Sequence, residues 1–258
     1  MVRRALDRAA PDSINAIRRF RYLRRQALQL GRVDDAVGLS ALFDEMSNTP
    51  FSLQQVKSEF VSLLQLVRER RPTRVLEIGA FQGGSLCLFC RAIDGSADIL
   101  SIDTAFQFPH RWAYRCFARP RQRVTCLTAD SHQAKTLDRV KHWLGHVGLD
   151  FLFIDGDHSF EGVARDFEMY SPLVRSGGLI AFHDIVPDFH TRFGRVSSHE
   201  VGEVPRFWQQ LKRGPYHVHE IVADPQQDGF GFGIVEWNDR RHERGGRELR
   251  RVGEQSAE

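Results

Sequence analysis

From Thr73 to Phe182 the apolar residues gather into short runs, and longer stretches with one apolar face lie between them. Arg74–Ile78, Ile99–Ile102, Arg123–Leu127, Phe151–Ile154 and Leu179–Phe182 are four or five residues long, apolar on both sides of the pleat and bounded by Gly, Asp, Ser or Thr. Such runs predict buried strands. Ser85–Ile93, His110–Ala118, Gln133–Leu144 and Phe160–Tyr170 carry helical spacing and fill the intervals. Strands alternating with helices predict a parallel sheet covered on both faces. Upstream, Ser13–Leu30 reads as a basic helix and Asp34–Met46 as a short one. Phe51–Arg71 reads as a longer helix with Val56, Phe60, Leu63, Leu64 and Val67 on one face. Arg68–Arg71 complements its C-terminal dipole, and Pro72 stands where a stop is expected. After a helix over Val204–Lys212, Tyr216–Val222 and Gly231–Trp237 predict two strands joined by the polar turn Ala223–Gly229, hence an antiparallel pair.

The expected fold is therefore α/β: a doubly wound, mostly parallel, Rossmann-like sheet with a C-terminal antiparallel strand pair and an N-terminal helical extension. Residues 1–50 form the extension and residues 51–238 the domain. Residues 239–258 are charged and nearly devoid of apolar side chains, so a disordered tail is expected there.

Composition narrows the class without naming a function. With 258 residues, 41% hydrophobic and 27% charged, the chain has room for one such domain with modest additions. No apolar run approaches the roughly 18 residues of a membrane span, and Met1–Arg25 lacks the apolar centre of a signal peptide. Its arginines faintly resemble a transit peptide, but Asp7 and Asp12 interrupt that pattern, so a cytoplasmic protein is expected. Cys87 and Cys90 form a C-x-x-C inside a predicted helix, with no second Cys or His pair at zinc spacing; with Cys116 and Cys126 they read as reduced thiols. A net charge of +3 demands no acidic partner. Eight arginines against two acids in Met1–Arg25 read as a solvated face or a contact in a homo-oligomer rather than a nucleic-acid site.

The chemistry lies at the ends of the strands. Glu77-Ile78-Gly79-Ala80-Phe81-Gln82-Gly83-Gly84-Ser85 runs from the first strand into a helix, where glycines admit a ligand close to the backbone and the helix start offers N–H donors. The spacing E-x-G-x-x-x-G lacks the close first glycine pair of a dinucleotide site, which argues against a pyrophosphate. A ligand with a cationic centre and an amino-acid end, such as S-adenosylmethionine, suits it better. Asp103, at the tip of the second strand and 24 residues after Gly79, can accept both hydroxyls of a ribose, and Asp130 with Ser131 after the third can meet an adenine. The bland alternative is that each Asp caps the following helix. Asp155 and Asp184 end the fourth and fifth strands, and two hard carboxylates at neighbouring tips suit Mg²⁺ or another divalent cation. His158, three residues past Asp155, is a candidate general base for a substrate hydroxyl, or else a hydrogen-bonding bystander.

These residues carry a family resemblance. V-L-E-I-G-A-F-Q-G-G-S at Val75–Ser85 resembles the first motif of catechol-type O-methyltransferases. Phe153–Pro187, F-I-D-G-D-H through F-H-D-I-V-P, resembles the cephalosporin-hydroxylase-like and macrolide-sugar O-methyltransferase branch, as do Phe51–Glu59 and Val204–Trp208. The resemblance spans residues 51–237. It implies class I, S-adenosylmethionine-dependent O-methylation, with Glu77, Gly79, Phe81 and Ser85 around the cofactor, Asp103 on its ribose, and Asp130 and Ser131 near its adenine. It implies metal ligation by Asp155 and Asp184 and an acid–base role for His158. This chain departs from it at His183, where Mg²⁺-binding relatives have a carboxylate; imidazole is a poor Mg²⁺ ligand. The expected activity is metal-assisted methylation of a hydroxyl on a small-molecule or sugar-containing acceptor. Two other classes stay open: a catalytically idle binding protein with a basic docking segment, and an NAD-dependent dehydrogenase.

Overall fold

The computed structural model describes residues 17–30, 38–46, 48–106 and 110–238. The start of the basic segment, residues 34–37 of the second predicted helix and the expected tail lie outside them. Seven strands form one sheet: β1 (Arg74–Ile78), β2 (Ala97–Asp103), β3 (Gln122–Thr128), β4 (Leu149–Ile154), β5 (Val174–His183), β6 (His217–Ile221) and β7 (Phe232–Glu236). Their order is β3-β2-β1-β4-β5-β7-β6. β1 to β5 pair in parallel, and β7 runs antiparallel to both β5 and β6. The fold is thus the predicted Rossmann-like α/β architecture with an antiparallel pair at one edge.

Two-residue alternation explains why both faces are covered. Val75, Ile99, Val124, Phe151 and Phe153 enter one core, while Leu76, Ile78, Leu100, Leu152 and Ile154 enter the other. The first core receives α1 (residues 17–30), α2 (Leu39–Met46), α3 (Lys57–Arg70) and α4 (Gly84–Ala92) through Leu23, Phe43, Phe60 and Phe89; α5 (His110–Tyr114) follows, with Tyr114 buried there. The second receives α6 (Ala134–Leu144), α7 (Phe160–Tyr170) and α9 (Val204–Lys212) through Val140, Phe167 and Trp208. The short α8 (Phe189–Phe193) lies between β5 and α9. α1 and α2 contribute Leu23, Ala27, Leu30, Leu42 and Met46 to the same core as the sheet, so the N-terminal helices are packed into the domain. Among the described residues no helix is long and apolar enough to cross a membrane.

The main departure from the sequence reading is at the start of α3. The predicted helix from Phe51 begins only at Lys57, with Val56 extended at φ −73°, ψ 123°. Residues 51–56 instead run across the top of the sheet. Phe51 and Leu53 press on Gly84, where an added Cβ would come within 2.7 Å of Leu53 and of the Phe51 carbonyl. Apolar periodicity continued through this segment because Phe51 is itself a core residue, fully buried against Tyr114 and Phe117.

Candidate active site

The strand order reverses between β1 and β4. In open α/β sheets, ligands bind beyond the carboxyl ends of the strands at such a point. A cavity of about 490 Å³ lies there, lined by the tips of β1 to β5 and roofed by Ser52–Gln55. Ten of the eleven expected site residues line it: Gly79, Phe81, Ser85, Asp103, Asp130, Ser131, Asp155, His158, Asp184 and, at the metal position, His183. Glu77 does not. Its carboxylate is fully buried behind the loop and accepts hydrogen bonds from Ser85 Oγ at 2.6 Å and from Ser101 Oγ. Burial raises its pKa to about 7, against the lowering effect of the two hydroxyls.

At the β1–β2 end the polar groups are anchored by backbone. Gly79 has φ +88°, and a Cβ there would sit 2.0 Å from the Asp155 carbonyl oxygen, so no side chain fits between the two strand tips. Asp103 accepts N–H bonds from Ala80 and Phe81, each at 3.0 Å, and from Ala105 at 2.7 Å. A carboxylate has about four acceptor directions, so it braces the loop and retains capacity for a ligand hydroxyl. Asp130 accepts from His132 N and Gln133 Nε2, which together hold its pKa below the usual carboxylate value. The Ser131 carbonyl is fixed by the Tyr170 hydroxyl at 2.7 Å. Phe81, at φ +47° and 60% exposed, stands at the rim.

At the β4–β5 end charged side chains face each other directly. His158 Nε2 lies 3.4 Å from Asp155 Oδ1, and its Nδ1 lies 3.5 Å from Asp184 Oδ2. His183 Nδ1 stands 3.2 Å from Asp155 Oδ1 and 3.4 Å from Asp184 Oδ1. His199 Nε2 meets Asp184 Oδ1 at 2.8 Å. Burial works against charge on His158, but Asp155 and Asp184 outweigh it and raise its pKa to about 9. Between two carboxylates the ring holds its proton more firmly than a free imidazole does. His183 is likewise raised by the same carboxylates against burial. Asp155 is lowered, its two imidazoles outweighing desolvation.

Two residues at this end, His199 and Gln55, are not legible as site residues in the sequence. His199 belongs to an irregular segment, residues 187–203, that carries no periodicity. Asp188 caps α8 by accepting from Thr191 N, and Asp228 accepts from Phe189 N, Ser197 Oγ and Ser198 N. Glu203 N donates to the His158 carbonyl at 2.7 Å, and the His199 ring stacks on Phe230 with centroids 4.1 Å apart. Gln55 reaches Asp155 Oδ2 at 3.4 Å, and Ser52 Oγ bonds Gln82 at 2.6 Å, so the roof is tied to both ends. The helical reading of 51–56 concealed them.

The comparisons agree with this arrangement: the family model described as "Methyltransferase domain" matches residues 76–185, less than half of the chain. Curated relatives are more distant. An uncharacterized protein of Acanthamoeba polyphaga mimivirus is 29% identical over 174 residues, which cover 62% of this chain and 72% of the relative. The uncharacterized protein y4gI of Sinorhizobium fredii is 26% identical over 176 residues, 65% of this chain but only 18% of the relative's length. Among solved structures, the O-methyltransferase TomG of Streptomyces achromogenes, in complex with SAM, superposes with a TM-score of 0.54 at 18% identity, covering 80% of this chain and 91% of that one. A putative caffeoyl-CoA O-methyltransferase from Staphylococcus aureus gives 0.55 at 18% identity, covering 77% and 92%. At these identities the solved structures establish the shared fold.

Proposed function

We propose that the chain transfers a methyl group from S-adenosylmethionine to a hydroxyl of a small-molecule acceptor. The observation that carries this reading is that one cavity brings together Gly79, Asp103, Asp130 and Ser131, suited to a nucleoside, and the cluster around His158, suited to proton transfer. In the reaction an acceptor oxygen attacks the sulfonium methyl carbon, the carbon–sulfur bond breaks to leave adenosylhomocysteine, and the hydroxyl proton passes to a base. His158, beside Asp155 and Asp184, is the group placed to take that proton after its own has passed to solvent. Sulfonium is already an activated donor, so the protein's share is positioning and electrostatics. That relatives in solved structures are O-methyltransferases supports an oxygen acceptor; a sugar-bearing one rests on the sequence resemblance.

Metal assistance is part of this reading, but the donors do not fit Mg²⁺. Mg²⁺ takes an oxygen shell of carboxylates, water and substrate, whereas His183 Nδ1 stands 3.2 and 3.4 Å from the two carboxylates that would hold it. An ion bridging Asp155 and Asp184 would meet that nitrogen either as a ligand or, protonated, as a repelling charge. No step is routed through Mg²⁺.

The NAD-dependent alternative is disfavoured by the loop itself. A pyrophosphate needs its backbone N–H groups, and those of Ala80 and Phe81 are already bonded to Asp103. The test is incubation with methyl-labelled S-adenosylmethionine and a panel of vicinal diols and glycosides. Label in an ether product, lost in His158→Ala, is the expected result; label only in unreacted cofactor across a broad panel would favour the idle binding protein.

A further inference from the structure

We propose that His183, Asp184 and His199, with Asp155 alongside, bind one divalent transition-metal ion of the imidazole-accepting kind, such as Zn²⁺ or Co²⁺, and that segment 187–203 supplies its third ligand. The inference deepens the metal assistance of the proposed function and rests on that reading only for the ion's use, not for its binding.

Three observations carry it. First, the donor set is mixed: His183, Asp184 and His199 bring one ligand atom each into a single cluster, and Asp155, His158 and Asp184 form a second cluster sharing Asp184. Two imidazoles and carboxylate oxygen suit zinc and its first-row neighbours, with affinity rising along the series toward Cu²⁺. Second, the spacings are long for charge-assisted hydrogen bonds, although His183 Nδ1 to Asp155 Oδ1 is still one. Charge-assisted N–H···O contacts close to about 2.7–2.9 Å, yet His183 Nδ1 rests at 3.2 and 3.4 Å from its two carboxylates. Metal–ligand bonds near 2.0–2.1 Å in a tetrahedron put neighbouring donors about 3.3 Å apart. Only His199, at 2.8 Å from Asp184 Oδ1, sits at an ordinary hydrogen-bond distance. Third, the cluster has unmet capacity. Asp184 is fully buried, its Oδ2 has no hydrogen-bond partner, and its backbone is held at φ +63°. The cationic neighbour of that oxygen, His158 Nδ1, stands 3.5 Å away, beyond charge-assisted hydrogen-bond distance, so the carboxylate keeps capacity for an ion.

His199 arrives from outside the regular sheet-and-helix frame. Its segment is pinned by Asp188 and Asp228 and closes on the His158 loop at Gly202, where a Cβ would lie 2.4 Å from the His158 carbonyl oxygen. Ion binding would therefore tie this segment to the strand tips.

The test uses the full chain, stripped with chelator and dialysed separately against Zn²⁺, Co²⁺ and Mg²⁺, with metal per chain measured by mass spectrometry. About one Zn²⁺ or Co²⁺ per chain is expected to be retained at micromolar free ion, and Mg²⁺ not retained. His199→Ala should weaken Zn²⁺ binding at least tenfold and alter the visible absorption of bound Co²⁺, while His183→Asp should shift preference toward Mg²⁺. Chelated wild type should still bind adenosylhomocysteine, so loss of the ion site and loss of the cofactor reading are separately visible. Failure to retain any ion, Mg²⁺ retained as well as Zn²⁺, or unchanged Zn²⁺ affinity in a folded His199→Ala protein would overturn the proposal. If His199→Ala unfolds, the His183→Asp preference decides it alone.

Discussion

The two ends of the cavity are built on opposite terms. At the β1–β2 end, Asp103 and Asp130 are satisfied by neighbouring backbone and side-chain donors, so the site is shaped before any ligand arrives. At the β4–β5 end, Asp155, His158, His183, Asp184 and His199 satisfy one another through contacts of 2.8–3.5 Å, and Asp184 Oδ2 and His183 Nε2 are buried without hydrogen-bond partners. The first end is held by hydrogen bonds within the protein, which suits the proposed cofactor site. The other stores charge that a bound species must rearrange, as chemistry requires. Preorganised donors are inexpensive to keep, whereas buried opposed charges depend on each partner.

That dependence predicts the largest effect. Asp184→Asn keeps a residue that tolerates the left-handed backbone at φ +63° but removes the charge facing three imidazoles. Breaking such a buried set typically costs roughly 3–5 kcal/mol, so urea unfolding at pH 6.5 should show a loss of that order. A loss under 1 kcal/mol would mean that the β4–β5 end is no more dependent on charge than the other. His158→Ala removes a half-buried member of the same set, so it should cost less stability than Asp184→Asn and spare adenosylhomocysteine affinity while slowing methyl transfer ~10²–10⁴-fold, the usual contribution of a general base. Parallel calorimetry and single-turnover rates separate the two roles.

Glu77 is the one buried charge at the β1–β2 end, and its pH signature sharpens the contrast. Its folded pKa of about 7 stands above the ordinary 4.5, so between those values the folded state holds a proton that the unfolded state releases. Stability should therefore fall as pH rises from about 4.5 to 7 and stay low above it, by up to ~3 kcal/mol. In Glu77→Gln that slope should flatten when unfolding is measured across pH 5–8; an unchanged slope would assign it to other groups. The smallest effect is expected at Asp103. Asp103→Ala should weaken adenosylhomocysteine by roughly 1–3 kcal/mol, the cost of charge-assisted bonds left unmade, and Asp103→Asn by less, because its amide oxygen can still accept from Ala80 and Phe81.

Where the sequence could be read, it was read through periodicity. β1, α7 and α9 were predicted with the bounds observed, and the antiparallel β6–β7 pair followed from the polar turn between two apolar runs. The strand-tip residues Gly79, Asp103, Asp130, Asp155 and Asp184 are legible for the same reason: each stands within three residues of the end of such a run. Glu77 was legible as part of a motif but misplaced, because nothing local distinguishes a carboxylate pointing into the cavity from one turned behind the loop toward Ser85 and Ser101. His199 and Gln55 were invisible. Each reaches the site through long-range contacts, from an irregular segment held by Asp188 and Asp228 and from a stretch whose apolar pattern imitated a helix. Cys87 and Cys90 are buried as expected, and burial raises the Cys87 thiol to about 12, which makes it unreactive.

The cavity end at Gly79 and Asp103 is proposed to accept the adenosyl moiety of S-adenosylmethionine. Isothermal titration of the full chain with adenosylhomocysteine and, separately, with NAD tests it most directly. The account predicts saturable one-to-one binding of adenosylhomocysteine, weakened in Asp103→Ala, and no measurable heat from NAD. Tighter binding of NAD, or an adenosylhomocysteine isotherm unaffected by Asp103→Ala, would contradict it.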